Sequence, residues 1–207
     1  VLADILAHVQ QDDIRSHRID QRLRALLRKR EMHFEYVDVN ALTESTLTLL
    51  QPDAARRGIT IRTTFERSLP HVPADPVHLE QVILNLVINA MDAMGETPQT
   101  RRSIDVRTMR ADDKHVQVEI ADNGPGISPA HVDEVFDSFF TTKSDGMGVG
   151  LSIVRSIINM HGGAISARNR SAGGAVFAFT LPTKRRTLTT VGSSPSILVA
   201  AQVSPDL

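Results

Sequence analysis

The chain has 207 residues, 41% hydrophobic and 23% charged, with a formal net charge of −1 and no cysteine. That composition is globular, enough for one good-sized domain plus extras or two small ones. The balanced charge gives no case for nucleic acid or an anionic membrane as partner. Disulfides and thiolate metal sites are excluded, and a reducing compartment is permitted. No apolar run approaches the roughly 20 residues of a membrane span, and no signal peptide opens the chain. Val1 falls inside a helical pattern, so the chain reads as a piece of a longer protein.

Residues 1 to about 30 lack proline and glycine and read as one long helix. Leu2, Ile5, Leu6, Val9, Ile19, Leu23, Leu26 and Leu27 form a seam suited to pairing with other helices, and Asp12, Asp13 and Ser16 weaken it midway. The basic end RLRALLRKR suits a helix C-terminus, and a solvated face explains its arginines at least as well as a binding patch. A strand is expected over His33–Val39. A helix follows from about Asn40 to Gln51, continuing or restarting after Pro52. ITIRTTF (59–65) alternates as a strand, with Ile59, Ile61, Thr63 and Phe65 on one face.

DPVHLEQV then opens a helix with Asp75 as N-cap and Pro76 at its first position. Its continuation, EQVILNLVINAMDAM (80–94), sets Asn85, Asn89 and Asp92 four and three residues apart on one face, with His78 and Gln81 on the same row. Val82, Leu86, Ala90 and Ala93 form the apolar row beside it. A buried amide without partners costs roughly 1–3 kcal/mol. The stripe therefore faces water, a polar network or a ligand.

IDVRTMR (104–110) and HVQVEIAD (115–122) read as neighbouring strands around the turn ADDK. VGLSIVRSIINMHGG is a helix of about three turns stopped by Gly162-Gly163, and AISARN and AVFAFTLP are two closing strands. Helices and adjacent antiparallel strands mix without regular alternation, which predicts an α+β fold, a two-layer α/β sandwich preceded by a long helix. The domains expected are a bundle helix at 1–31, a main domain at 32–183 and a tail or linker rich in Ser, Thr and Pro at 184–207.

Two stretches are unusually rich in glycine. ADNGPGIS follows directly on a strand, so Asp122 stands at a strand end with Gly124 and Gly126 letting the backbone bend and a ligand approach. A buried carboxylate there can accept from an exocyclic amine such as adenine offers; a turn capped by Asp and Asn is the plain alternative. In TTKSDGMGVGLSI, Gly146, Gly148 and Gly150 lead into a helix, the usual setting for a phosphate on backbone N–H groups. The stretch is neither a Walker loop nor a dinucleotide fingerprint. Lys143 is close enough in sequence to reach a phosphate, though a lone lysine is more often solvated.

In order, the striped helix, DNGPG, FDSFFTTK and GMGVGLS resemble the N, G1, F and G2 boxes of sensor histidine kinases, whose ATPase fold is shared with gyrase, Hsp90 and MutL. HGGAI and GGAVFAFTLP resemble the family's closing segments, and the resemblance covers about residues 34 to 182. FFTTKSDGMGVGLSI and NAMDAM look most like the nitrogen-fixation and dicarboxylate sensors; Ser138 departs by standing where proline is usual. The resemblance implies ATP and Mg2+ as cofactors, with Asn89 as the metal's amide ligand and Asn85 supporting it. It implies that Asp122 receives the adenine amine, directly and through a water shared with Thr180, while Gly124, Gly126 and Ile127 lie against the base. Thr141, Thr142, Lys143, Gly146, Gly148, Val149, Gly150 and Leu151 would form the lid and phosphate side. Phe139 and Phe140 either anchor that lid or pack in the core, the plainer role for each ring.

Hydrolytic relatives carry a glutamate where this chain has Asn85. An amide cannot act as a general base, and Glu80 lies off the stripe, so transfer of the γ-phosphoryl group is favoured over hydrolysis. The acceptor would be a histidine followed by Glu or Asp on a bundle helix. None of His8, His17, His33, His71, His78, His115, His131 and His161 has that setting. Residues 1–31 instead resemble the second bundle helix, which places the acceptor on an upstream H-box helix. The partners implied are that helix, a second copy of the full-length protein and a response regulator receiver domain. The location implied is the cytoplasm, with a membrane anchor left open for the longer protein.

Overall fold

The computed structural model describes residues 32–141 and 147–184. The expected bundle helix at 1–31 and nearly all of the expected tail lie outside the described residues. A short ribbon pairs β1 (Glu35–Val37) antiparallel with β3 (Val72–Ala74). A five-stranded sheet has the order β2 (Thr60–Phe65), β4 (Ser103–Asp112), β5 (His115–Asp122), β7 (Ala175–Pro182) and β6 (Ala164–Asn169). β2 runs parallel to β4 and every other pairing is antiparallel.

Three helices cover one face: α1 (Val39–Arg56), α2 (Pro76–Ala93) and α3 (Gly150–Met160). The period-2 alternation of the strands decides which face they cover. Ile104, Val106, Val116, Val118, Ile120, Phe177, Phe179 and Leu181 point under the helices and are buried against Leu79, Val82, Leu86, Val154 and Ile158. The other face carries charges, with Arg62 and Arg170 near Asp105 and Arg168 on Glu119. This is the two-layer α+β sandwich expected.

Three local differences have physical reasons. The strand expected over His33–Val39 shortens to Glu35–Val37 because Asp38 caps α1, accepting from the N–H groups of Asn40 and Ala41. Helix α1 runs unbroken through Pro52; Pro52 and Thr48, whose carbonyl loses its partner, are both exposed, so water replaces the missing bond. Strand β3 was not expected, because Val-Pro-Ala is short and interrupted by proline. It pairs only with β1, where an edge tolerates Pro73.

Asp75 caps α2 as expected, accepting from Val77 and His78 N–H groups, and its other carboxylate oxygen accepts from His33 N–H at 2.8 Å. Burial opposes ionisation there, but the backbone donors of His33 and His78, with the His78 ring, hold its carboxyl below the usual range. His161, the residue after α3, is buried among these groups. Its Nε2 accepts from Asp75 N–H at 3.0 Å and its Nδ1 lies 2.8 Å from Ile157 carbonyl, which fixes the neutral Nδ1–H tautomer. The Phe34 ring lies 5.2 Å away. One buried cluster thus joins the incoming chain, the start of α2 and the end of α3.

Candidate functional site

At the other end of α2 the polar groups are treated differently. Val82, Ile83, Leu86, Val87, Ala90 and Met91 bury one side of the helix. Asn85, only 9% exposed, and Asn89, half-buried, lie a turn apart on the remaining stripe. Among the described residues neither carboxamide is hydrogen-bonded. Amides held this way are open to water or a ligand, because burial against protein without a partner is costly. Asp92, third on the stripe, instead meets Arg57 at 2.8 Å. The row divides into a structural residue and two free amides.

The glycine turn forms the facing wall. A Cβ at Gly150 would lie 3.9 Å from Asn89 Nδ2. Gly150 begins α3, and among the described residues no side chain caps that helix. Its leading N–H groups are therefore the free donors that attract an anion. Just upstream, Phe139 N–H donates to Gly148 carbonyl at 2.9 Å, drawing together the chain on either side of residues 142–146. A Cβ at Gly148 would fall 2.3 Å from the Phe139 carbonyl carbon, and Gly148 has φ +66, so only glycine fits this approach. Gly148 is thus required by its approach to Phe139, whatever the site binds. Phe139, with φ 70, turns its ring outward to 79% exposure, contrary to the core packing expected, whereas Phe140 packs on the core.

The third wall is the loop after β5. Asp122 shares the helix-facing side with Val116, Val118 and Ile120 and is 2% exposed. Its Oδ1 accepts from Gly124 N–H at 2.8 Å and Ala175 N–H at 3.3 Å. Burial pushes its carboxyl above the ordinary value; those two bonds and nearby Arg170 oppose the shift. A Cβ at Gly124 would lie 3.3 Å from Ala93 carbonyl, so the loop rests on the last turn of α2, one turn beyond Asn89. One helix thereby brings a buried carboxylate, two free amides and a glycine-rich helix start together along its second half, the candidate cleft.

The family model described as histidine kinase-, DNA gyrase B- and HSP90-like ATPase matches residues 74–185. The chain belongs to this ATPase family. The domain is similar to the solved catalytic domain of the histidine kinase ThkA, at 33% identity and a TM-score of 0.66, over 73% of this chain and 97% of that one. ThkA in complex with the response regulator protein TrrA gives a TM-score of 0.69 at 28% identity, over 85% of this chain and 49% of that one. The C4-dicarboxylate transport sensor protein DctS of Rhodobacter capsulatus is 39% identical over 162 residues, 78% of this chain and 24% of that protein. The chain thus spans about a quarter of that relative's length, and the dicarboxylate sensors expected from the lid sequence are among its relatives. The domain is an ATP-binding catalytic core of the sensor histidine kinase kind.

Several of the residues expected at the ATPase site are brought together. Asn85, Asn89, Asp122, Gly124 and Gly150 surround the cleft; Ile127 and Leu151 are partly buried on the core beside it. Val149 precedes α3, and Thr141 is the last described residue before position 142. Thr142, Lys143 and Gly146 lie outside the described residues. Thr180 is not brought to Asp122. It pairs with Gln117 and Ala164, five positions along β7 from Ala175, about 16 Å at strand spacing, and it shares the outer face with Gln117. The residue beside Asp122 is Ala175, through its backbone N–H. The odd–even alternation of AVFAFTLP already separates Thr180 from Phe177 and Phe179.

Sequence reading missed Asn169, Arg170 and Arg57. Asn169 and Arg170 hold the loop after β5 from outside, and Arg57 holds Asp92. Only Asn169 carried a signal: along AISARN it shares parity with Ile165 and Ala167, the inner face of the sheet.

Proposed function

We propose that the cleft binds ATP with Mg2+ and that the longer protein hands the γ-phosphoryl group to a histidine upstream of this chain. The observation that carries this reading is the pair of unpartnered carboxamides, with Asn89 facing the start of α3 across the cleft. The donor set fits the ligand. A carboxamide oxygen is a suitable hard ligand for Mg2+, which takes its remaining ligands from phosphates and water. Asp122 Oδ2, unused by the bonds to Gly124 and Ala175, suits an exocyclic amine. The uncapped N–H groups of Gly150 and Leu151 suit phosphate oxygens. Thr141, Thr142, Lys143, Gly146, Gly148 and Val149 are assigned to the lid.

When bound, the metal nucleotide supplies a phosphoryl group with its charge neutralised. The residues of this chain position it. Asn89 would hold the metal, Asn85 one turn earlier would support the site, and Asp122 would fix the base. Asn85 offers no base to water. In the transfer the acceptor imidazole nitrogen bonds phosphorus as the bond to the departing ADP oxygen breaks. We assign residues 1–31 to the second bundle helix and 32–183 to the catalytic domain. The full protein is assigned to the cytoplasmic side as a homodimer that passes the group to a response regulator receiver domain; the complex of ThkA with a response regulator protein supports the last of these. No described helix is long and apolar enough to cross a membrane.

Labelled ATP added to the chain together with a separately supplied dimerisation domain carrying an H-box histidine tests the transfer. Phosphohistidine is expected on the supplied domain and none on the chain's own eight histidines. Autophosphorylation of this chain, or steady hydrolysis outpacing transfer, contradicts the reading.

A further inference from the structure

Loop 122–127 is gripped from outside at both ends. At its far end the Asn169 carboxamide bonds one residue twice: Oδ1 accepts from Ile127 N–H at 2.7 Å, and Nδ2 donates to Ile127 carbonyl at 2.7 Å. At its near end Arg170 Nη1 donates to Asp122 carbonyl at 3.2 Å and lies 3.4 Å from an Asp105 oxygen. Arg170 N–H also closes the β6–β7 turn by donating to Gly174 carbonyl at 2.9 Å. The sheet register explains why this turn reaches the loop. Asn169 pairs with Ala175, and Ala175 N–H donates to Asp122 Oδ1, so the three residues form one cross-strand row on the helix-facing side. Gly126 completes the fit: its φ is +83, and a Cβ there would come within 2.8 Å of Asn169 Oδ1.

From this geometry we infer that Asn169, with Arg170 beside it, is a positioning residue for nucleotide binding. The pair fixes both ends of the loop, so Asp122 and Gly124 hold their places before a ligand arrives. The inference rests on the assignment of Asp122 to the base. Asn169 acts through Ile127 and Gly126 and does not touch the nucleotide. Releasing the clamp transfers the cost of ordering the loop to the binding step, which weakens affinity. That cost falls on the base end of the cleft, so it is independent of the metal.

The test is calorimetry of ADP with the 207-residue chain, with Mg2+ and again with EDTA, paired with amide exchange at Ile127. Asn169→Ala is expected to weaken ADP about three- to tenfold, equally in both conditions, as two hydrogen bonds are lost, and to speed exchange at Ile127. Asn169→Asp keeps the acceptor for Ile127 N–H but sets its second oxygen against Ile127 carbonyl, so it should not restore wild-type affinity. Arg168→Ala, which removes an ion pair to Glu119 at 3.0 Å on the outer face, should leave affinity unchanged. Wild-type affinity in Asn169→Ala overturns the inference, as does unchanged exchange at Ile127. Asp122→Asn separates the two levels. If it binds ADP normally, the base assignment itself fails; if it binds weakly while Asn169→Ala binds normally, only the clamp falls.

Discussion

The two ends of α2 carry similar kinds of polar residue and treat them in opposite ways. At the start, Asp75 accepts from three backbone N–H groups and His161 has both ring nitrogens engaged. Even there one atom is left over: His78 Nδ1 lies 3.2 Å from Asp75 Oδ2 but is buried without a hydrogen bond. Fourteen residues along from Asp75, Asn89 has no partner among the described residues, and neither has Asn85 a turn earlier. Saturated polar groups hold the fold together. Groups left open are available to a ligand.

Substitutions at the two ends should therefore separate affinity from stability. The largest effect is expected at Asp122. Asp122→Asn replaces the carboxylate acceptor by an amide and should weaken ADP roughly 10- to 100-fold, the range for a hydrogen bond to a charged group. Because burial raises the native carboxyl above its unfolded value, the ionised form costs stability as pH rises through the native value. The same variant should therefore melt no lower than wild type at neutral pH. A melting point that falls with affinity would recast Asp122 as structural.

Next in size is His161→Ala. It strands Asp75 N–H in the core, whereas Ile157 carbonyl keeps the backbone N–H of residue 161; the cost is about 2 kcal/mol, measured by urea unfolding, while ADP affinity per folded molecule stays unchanged. Asn89→Ala should show the reverse: about tenfold weaker ADP with Mg2+, little change in EDTA, and unaltered unfolding. Loss of affinity in EDTA as well would remove Asn89 from the metal.

The smallest effect is a pH dependence at the saturated end. Burial lowers the His161 pKa in the fold, helped by nearby His78 and opposed by its bond to Ile157 carbonyl and by Asp75. The native state then binds fewer protons than the unfolded chain just below about pH 6.5. The stability from neutral His161 is complete above that pH and declines as pH falls toward the lowered native value. His161→Ala should flatten this slope in urea titrations between pH 7 and 5. An unchanged slope would assign the titration to another group.

The helices and most strands were legible because their signals are local: the Asp75-Pro76 start, the alternation of β4 and β5, and the Gly162-Gly163 stop. The cleft was legible because its parts sit on separate motifs whose residue types already imply a ligand. What escaped depends on distance in three dimensions. Whether a stripe residue is open or paired is decided by a remote side chain, as Arg57 decides for Asp92 across 35 positions. The clamp of Asn169 on Ile127 spans 42 positions and has no motif. Thr180 was misplaced for a different reason. Its residue type suited a water-mediated contact, but strand parity turns it to the outer face.

The central claim, that Asn89 and the start of α3 close on one metal nucleotide, is tested most directly by adding ADP with Mn2+ in place of Mg2+ to isotope-labelled protein. Paramagnetic broadening is expected first at the side chains of Asn85 and Asn89 and the backbone amides of Gly148 to Leu151, with Asp75 and His161 sharp. Broadening that spares either Asn89 or Gly150 at saturating nucleotide would contradict the account.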